Sequence, residues 1–344
     1  MKEAEFRFDS LSAHMNSLKT NIAFAAEDCT AVIKKISYDS FTNSFVGLVP
    51  PLNDGIPTTL HYQTDSFKKL REWFSNEDRS HLINIHMIQP ITNMQIAPNP
   101  FLLSAFGTNN KYEAIDIIRR WIWIFEQSSL QDTRIVGFST DGDPKYMRAM
   151  RLVTGFFASL PNIKLNSYTN AFHVKIPKDW NWYFLGDSHL FLCFQDATHL
   201  CTKLRNRLLS RTANMLIGNH CISIDYLSTL IRNIPKLRHG LVKSDIFPQD
   251  RQNFSSCVKI CSDDVTNCLT EIHDSEGIIM YIRLLRSIMI AYIEKLTTPI
   301  NRLYHAWFSV FVSRLWYIWI DYMPKVNLEK SLYELSGITT NKKN

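Results

Sequence analysis

The sequence predicts an α/β protein with a mixed β-sheet and flanking helices, followed by an all-helical region. Three observations support this prediction. Strand-like alternation of apolar residues dominates residues 21–52, and a helix, a strand and a second helix alternate over residues 111–160. After residue 211 the apolar residues recur at helical spacing, without a convincing strand. Antiparallel strands followed by β/α alternation are typical of mixed sheets.

The N-terminal part supplies the antiparallel strands. Leu11, Met15 and Leu18 predict an opening helix within residues 1–19. Three alternating runs then predict an antiparallel meander: residues 21–28, 31–39 and 44–52. A turn cluster rich in Pro, Asn, Asp and Gly follows. Beyond it we expect a helix over 64–74, an apolar run over 82–88 and a loop over 91–109.

The next part supplies the β/α alternation. A helix is predicted over residues 111–127, with Arg119 and Arg120 outside its apolar face. That face is formed by Ile115, Ile118, Ile122 and Phe125. A strand over 134–140 leads into a helix over 145–160. Two further apolar runs, 171–176 and 190–195, precede a helix that begins near Asp196.

The composition indicates a globular protein inside a cell. Of the 344 residues, 45% are hydrophobic, and the formal charge of +6 weakly favours nucleic acid as a partner. The seven cysteines form no CxxC pair and follow no secretory leader, so we expect reduced thiols. Residues 303–323 have the length of a membrane span but carry His305, Arg314 and Asp321, which favours a buried helix and no membrane partner.

Two acidic residues end predicted strands and are candidates for metal binding. Asp28 closes the first strand, and Asp141 follows the strand over 134–140, just before Gly142 and Pro144. Neighbouring strands of one sheet would bring both carboxylates together, and hard oxygen ligands suit Mg²⁺ or Mn²⁺. A pair of such ions supports phosphodiester cleavage. The pattern alone leaves open that these acids only cap helices and fill turns.

A polar stripe follows on the helix that begins near Asp196. His199, Lys203 and Asn206 recur on one side of this helix at spacings of three or four residues. Arg205 and Arg207 add basic charge, so the helix is a candidate for contacting DNA phosphates. An ordinary helix cap with a solvated basic face remains the alternative.

Four runs, taken together, resemble a known family. They are EDCTAVIKKISYDSFTNSFVGLVPPLNDGIP, GFSTDGDPKYMRAMR, FQDATHLCTKLRNRLL and HGLVKSDIFPQDRQNF, in this order. They resemble the ribonuclease H-like transposase domains of the P-element and THAP type, and the transposon-derived animal proteins that share this block. The resemblance extends over residues 20–320, and the combination is more specific than any single run.

The resemblance implies a domain plan and a site. A segment 1–20 would precede a ribonuclease H-like core over 21–211, a helical insertion domain over 212–330 and a tail over 331–344. Asp28 and Asp141 would be the first two catalytic carboxylates of a DDE-type site, with Asp143 as the neighbour to test. Asp196 and His199 resemble a D-x-x-H motif beside the site, where Asp196 is a candidate metal ligand.

The sequence departs from the family in two places. The family's third carboxylate is a Glu on a helix beyond the insertion, and only Glu329 and Glu334 occur late enough, neither in a recognisable motif. A zinc-coordinating DNA-binding module is not found before residue 20. We therefore expect a truncated, transposon-derived protein that descends from a Mg²⁺-dependent DNA cleavage and strand-transfer enzyme and retains DNA binding without complete catalysis.

Two rival functions stay open. The first is an active metal-dependent nuclease or transposase that recruits Glu329, Glu334 or Asp196 as its third acid. The second is a protein-interaction module in which the acids are structural. For the main expectation, the partners are double-stranded DNA, such as transposon ends, and further copies of this chain, and the location is the nucleus.

Overall fold

A computed structural model describes residues 2–94, 96–154, 158–159, 172–173, 192–210, 212, 215–247 and 249–322. The chain divides into two compact units, which we call the sheet unit (Met1–Asp196) and the helical unit (Ala197–Asn344). The predicted boundary between residues 211 and 212 lies later than this division. Glu329 and Glu334, and parts of the helix predicted over 145–160 and of the run 171–176, lie outside the described residues.

The described strands and helices have the following bounds, given in chain order for each unit. The strands of the sheet unit are β1 Ile22–Ala31, β2 Ser37–Asp39, β3 Ser44–Val46, β4 Leu52–Asn53, β5 Ile56–Pro57, β6 Leu82–Pro90, β7 Phe101–Thr108, β8 Arg134–Thr140, β9 Ala158–Ser159, β10 Phe172–His173 and β11 Leu192–Gln195. Two more, β12 Met215–Ile217 and β13 His220–Ile222, belong to the helical unit. The helices of the sheet unit are α1 Phe8–Ser17, α2 Phe67–Asn76, α3 Ala114–Leu130 and α4 Pro144–Thr154. Those of the helical unit are α5 Ala197–Leu208, α6 Ile224–Asn233, α7 Lys236–His239, α8 Lys243–Ile246, α9 Phe254–Ile260, α10 Asp263–Leu269, α11 Glu276–Tyr292 and α12 Pro299–Tyr322.

A five-stranded mixed sheet forms the centre of the sheet unit, which confirms the predicted α/β class. Its strand order is β11-β8-β1-β6-β7. β6 pairs antiparallel with both β1 and β7, whereas β8 pairs parallel with both β1 and β11. β1 is therefore a central strand whose two edges are both occupied. The carboxyl ends of β1, β8 and β11 meet at one edge of the sheet.

The predicted meander is wrong, because its second and third strands do not join β1. β2 and β3 pair with each other in a separate hairpin. The hydrogen-bonding edges of β1 are instead taken by β6 and β8, from distant parts of the chain. The loop predicted over 91–109 is also wrong in part, since β7 lies within it. The prolines before residue 101 and Gly107 obscured the apolar run of Phe101, Leu102 and Leu103.

Helices α1, α3 and α4 bury one face of this sheet. Alternation along β1 places Ala23, Ala25 and Glu27 on that face, and all three are buried. They pack in one core with Leu11 of α1 and Trp121 of α3, among others. The predicted apolar face of α3 is rotated, because Arg120 is fully buried and the buried apolar positions include Ile117, Trp121 and Ile124.

The helical unit has a core of its own. Leu227, Val265, Ile282 and Leu285 are among its fully buried side chains. Helix α5 packs against α9 and α11, which explains why it groups with this unit and not with the sheet.

The β12–β13 hairpin is a strand pair that helical spacing did not predict. Helix α12 is the predicted long helix, but the expectation that it is buried is wrong for part of its surface, because Leu303, Trp307 and Phe311 are exposed. Within the described ranges, the helices lack a stretch with the length and apolar character of a membrane span. None of the seven cysteines, which all lie in the described ranges, forms a disulfide bond.

Gly137 lets β11 approach β8 closely. A Cβ atom at this position would lie 2.0 Å from the carbonyl oxygen of Leu192, which is too close for any real contact. We expect Gly137→Ala to lower the free energy of unfolding by about 1–3 kcal/mol, the usual cost of overpacking. Urea denaturation monitored by circular dichroism measures this loss.

Gly218→Asn is the control for this substitution. Gly218 has a φ of +58°, a conformation that Asn tolerates. A Cβ atom there would have no neighbour within 4 Å among the described residues. Gly218→Asn should therefore lower the free energy of unfolding by less than Gly137→Ala does. Equal stability of Gly137→Ala and the unaltered protein would contradict the close approach of the two strands.

Candidate metal site at the sheet edge

Three aspartates occupy equivalent positions on adjacent parallel strands, each one residue beyond the last parallel pair. The last paired residues are Glu27 with Thr140 between β1 and β8, and Gln195 with Thr140 between β11 and β8. The residue after each of these is an aspartate: Asp28, Asp141 and Asp196. Because neighbouring strands lie about 4.8 Å apart, the main chains of these residues lie side by side, with Asp141 in the middle.

The main chain holds each of these aspartates in a defined place. Asp28 is still within β1, and its Oδ1 accepts a hydrogen bond from the N–H of Cys29 at 2.8 Å. Asp141 Oδ1 accepts from the N–H of Asp143 at 2.9 Å, which shapes the turn into α4. The N–H of Asp196 donates to the carbonyl oxygen of Thr140 at 2.8 Å and so continues the β8–β11 ladder. Asp28 and Asp196 are exposed, and Asp141 is half-buried.

The donor chemistry at this edge fits a hard divalent cation. Carboxylate oxygens are the ligands that Mg²⁺ and Mn²⁺ prefer. In the part of the chain that the structure describes, no group of three or more His, Cys, Asp or Glu side chains is arranged to hold a metal ion. Asp28 and Asp141 each direct Oδ1 to a main-chain N–H, and each carboxylate has a second oxygen.

Glu27, the residue before Asp28, is the centre of a buried polar network. Its Oε1 accepts hydrogen bonds from Arg120 Nη2 at 2.5 Å, Asn84 Nδ2 at 2.8 Å and the Tyr146 hydroxyl at 2.9 Å. Its Oε2 accepts from Trp121 Nε1 at 2.6 Å. The network joins β1 to β6, α3 and α4. Glu27 is therefore a structural carboxylate, distinct from the exposed Asp28 beside it.

Burial and charge shift the pKa values in this network in definite directions. Burial alone would raise the pKa of Glu27, but Arg120 and the hydrogen bonds hold it well below its ordinary value. Burial lowers the pKa of His86, whose Nε2 lies 3.3 Å from Glu27 Oε2, although Glu27 opposes that shift. Burial raises the pKa of Tyr146, so its hydroxyl stays protonated and donates to Glu27.

Arg120 connects the same network to a turn. Its Nη1 donates to the carbonyl oxygen of Gly55 at 2.6 Å, between β4 and β5. Gly55 has a φ of +80°, and a Cβ atom there would lie 2.2 Å from the carbonyl oxygen of Asp116 in α3. Only glycine fits this approach without strain. The short β4–β5 hairpin is thus fixed against α3 by the residue that neutralises Glu27.

Comparison with known proteins gives one informative match. No protein-family model and no curated protein sequence matches the chain. Among solved structures, the Drosophila P element transposase in a strand transfer complex matches with a TM-score of 0.52 and 11% sequence identity. The match covers 81% of this chain and 52% of that one, so this chain spans about half of its neighbour's length. The chain has a transposase-like fold. At this identity the likeness concerns the fold alone.

The predicted DNA-contacting residues lie on α5, in the helical unit. Lys203 is exposed, whereas His199, Asn206 and Arg207 are half-buried. Asn206 Nδ2 donates to the carbonyl oxygen of Arg251 at 2.9 Å. Arg205 is fully buried and donates to Ser256 Oγ and, at 2.8 Å, to Arg251 O. The guanidinium of Arg205 therefore stabilises the helical unit and does not reach the surface.

Sequence reasoning missed the role of Glu27 and its partners. A signal for Glu27 was present, because strict alternation from Ala23 through Ala25 places residue 27 on the buried face and residue 28 on the opposite one. A buried Glu requires a cation, and Arg120 on the predicted helix supplies it. The pairing itself was not predictable, since 93 residues separate the two side chains in sequence.

The neutral, buried state of His86 predicts a pH-dependent stability. Its pKa in the folded chain lies below the ordinary value of 6.5, so below that pH the unfolded chain binds a proton that the folded chain excludes. Stability is therefore full above pH 6.5 and falls as the pH is lowered. His86→Phe, which keeps the packing between Phe6 and Phe106, should make stability fall less between pH 7 and 5.5 than it does in the unaltered chain.

Urea unfolding at several pH values compares His86→Phe with the unaltered chain. The control is His61→Gln, because His61 is exposed in the same unit. The control should keep the original pH dependence. An unchanged slope in His86→Phe would show that His86 is not the titrating group.

Proposed function

We propose that this chain is a transposase-derived DNA-binding protein with a divalent-metal site at Asp28, Asp141 and Asp196. The observation that carries the proposal is the matched position of these three aspartates on three adjacent parallel strands. The transposase-like fold and the motif resemblance support it, and we assign the sheet unit to the ribonuclease H-like class on the same grounds. A DNA partner implies a nuclear location.

The acids have separate tasks in this proposal. Asp28 and Asp141 would bind Mg²⁺ or Mn²⁺, which supplies Lewis-acid chemistry at a phosphodiester when bound. Asp141 also shapes the turn that begins α4, so the same carboxylate couples the site to the helix. Asp196 would complete the set of ligands from the neighbouring strand. Glu27 takes no part in metal binding, because Arg120 and four other side chains surround its carboxylate.

Basic side chains near the same sheet edge support a DNA partner. Lys34 and Lys35 are exposed and lie three and four residues after the last residue of β1. Arg148 is exposed on α4, which starts three residues after Asp141. Lysine and arginine at such positions contact phosphates without regard to sequence. The formal charge of +6 for the whole chain has the sign that such a contact needs.

A second candidate function is an active metal-dependent nuclease. The position of Asp196 favours it, since two-metal phosphodiester cleavage uses carboxylates from several neighbouring elements. In this candidate Asp196 takes the place of the third acid that the family has on a later helix. The two candidates differ in one observable, which is cleavage of DNA in the presence of Mn²⁺.

Asp28→Asn and Asp141→Asn should each weaken Mn²⁺ binding about tenfold or more, because each removes one negative ligand. Isothermal titration calorimetry on the full chain measures this affinity. Asp39→Asn is the matched control, since Asp39 also accepts a main-chain hydrogen bond from the residue two positions later, at 3.1 Å. The control should bind Mn²⁺ like the unaltered chain. Failure of the unaltered chain to bind Mn²⁺ would refute the metal site.

The same proteins should then be incubated with double-stranded DNA and Mn²⁺. DNA binding without cleavage supports the main proposal. Cleavage that disappears in Asp28→Asn, Asp141→Asn and Asp196→Asn establishes the nuclease instead. Absence of salt-dependent DNA affinity would leave a protein-interaction module as the function and contradict both candidates.

Lys34→Ala/Lys35→Ala should weaken DNA binding and reduce its salt dependence. Each lost phosphate contact lowers the slope of log K against log salt by about 0.9, so the double variant should lose up to about two units of slope. Fluorescence anisotropy at several salt concentrations measures this slope. Lys68→Ala/Lys69→Ala, an exposed pair on α2, is the charge-matched control and should keep the original slope. Equal slopes for both variants would exclude Lys34 and Lys35 from the DNA contact.

A further inference from the structure

The two central aspartates of the proposed metal site belong to separate segments of the chain. Asp28 lies in β1, and Asp141 lies in the turn before α4. The β1–β8 pairing brings their main chains together, and the placement of the two carboxylates depends further on how the end of β1 is held relative to the first turn of α4. Tyr146, in that first turn, makes the contacts that hold them.

The hydroxyl of Tyr146 occupies the middle of a buried hydrogen-bond cluster. It donates to Glu27 Oε1 at 2.9 Å and accepts from Asn84 Nδ2 at 3.0 Å. It also lies 3.0 Å from the hydroxyl of Tyr112 and 3.7 Å from Cys29 Sγ. Only 2% of the Tyr146 side chain is exposed. The hydroxyl is therefore shielded from bulk solvent.

These contacts fix the main chain on both sides of Asp28. Glu27 and Cys29 are the residues before and after it, and their side chains point to the face opposite that of Asp28. Both reach the Tyr146 hydroxyl, Glu27 directly and Cys29 through a weaker sulfur contact. Cys29 Sγ also contacts the Tyr112 hydroxyl at 3.2 Å. Movement of Asp28 along or away from the sheet would therefore break contacts at two adjacent residues.

Hydrogen bonds also hold the main chain between Asp141 and Tyr146. Asp143 N–H donates to Asp141 Oδ1 at 2.9 Å, and Lys145 N–H donates to Asp143 Oδ1 at 2.8 Å. Lys145 Nζ donates to Asn110 Oδ1 at 3.0 Å, which anchors the same turn from outside. The short segment from Asp141 to Tyr146 thus contains two successive turns closed by side-chain-to-main-chain hydrogen bonds. Tyr146 is consequently linked to Asp141 by a short segment that these hydrogen bonds hold.

We propose that Tyr146 is a positioning residue for the metal site. Its hydroxyl sets the separation of Asp28 and Asp141 from the opposite face of the sheet and touches no ligand of the ion. This inference rests on the proposed metal site and adds a residue to it. Hydrogen-bonding partners that orient carboxylate ligands commonly change metal affinity by about 10–100-fold when removed.

Tyr146→Phe removes the hydroxyl and keeps the ring. The full chain should lose about tenfold or more in Mn²⁺ affinity, measured by calorimetry at a temperature where circular dichroism shows complete folding. Tyr62→Phe is the matched control, because Tyr62 is 3% exposed and its hydroxyl donates to Val49 O, among residues of the β3–β4 region. It should be destabilised to a similar extent but bind Mn²⁺ normally. A purely structural tyrosine would lower the unfolding midpoint in both variants without changing Mn²⁺ affinity.

The outcomes separate this inference from the proposed function. If the unaltered chain binds no Mn²⁺, the metal site itself is refuted. If it binds and Tyr146→Phe binds equally well, only the positioning role is overturned. If Tyr146→Phe does not fold, Tyr112→Phe replaces it, since this hydroxyl contacts both Tyr146 and Cys29 without touching Glu27. A loss of Mn²⁺ affinity in folded Tyr112→Phe supports the inference, and an unchanged affinity overturns it.

Discussion

The ion pair between Glu27 and Arg120 is the interaction on which the sheet unit depends. Both side chains are fully buried, and a buried charge without its partner costs about 3–5 kcal/mol. The pair joins the central strand to α3, and through Gly55 it also fixes the β4–β5 hairpin. Asn84, Trp121 and Tyr146 also donate hydrogen bonds to the carboxylate of Glu27. A strand that carries such a group has little freedom to shift or twist.

The local elements of this chain could be predicted, but several of their pairings could not. Helix α12, strand β8 and the change to helical spacing follow from periodicity within short windows. The partners of β1 do not, because β6 and β8 come from distant parts of the sequence and replace the nearby β2. Proximity in sequence favoured a meander that long-range hydrogen bonding excluded. β7 was hidden by the prolines that precede it.

In the candidate site, too, the individual residues could be predicted from the sequence but their spatial arrangement could not. Asp28, Asp141 and Asp196 were identifiable as strand-end acids, since a short apolar run precedes each of them. That they occupy matching positions on adjacent strands required the register, which depends on parallel pairing between segments far apart in sequence. The structural role of the basic residues on α5 was even harder to predict. Helical spacing alone did not show that Arg205 is used inside the helical unit, because its acceptors Ser256 and Arg251 O come from a later segment.

The adjacent acids Glu27 and Asp28 have a consequence for how related sequences should be compared. The two carboxylates are one residue apart but point to opposite faces, so Glu27 is enclosed by Arg120 and other hydrogen-bond donors, whereas Asp28 meets solvent. A one-residue slip of β1 would exchange them, burying an aspartate too short to reach Arg120. An alignment that shifts this acidic doublet by one place would therefore preserve its charge while exchanging the buried position for the exposed one. The spacing to Ala23 and Ala25, more than the presence of acids, identifies the strand.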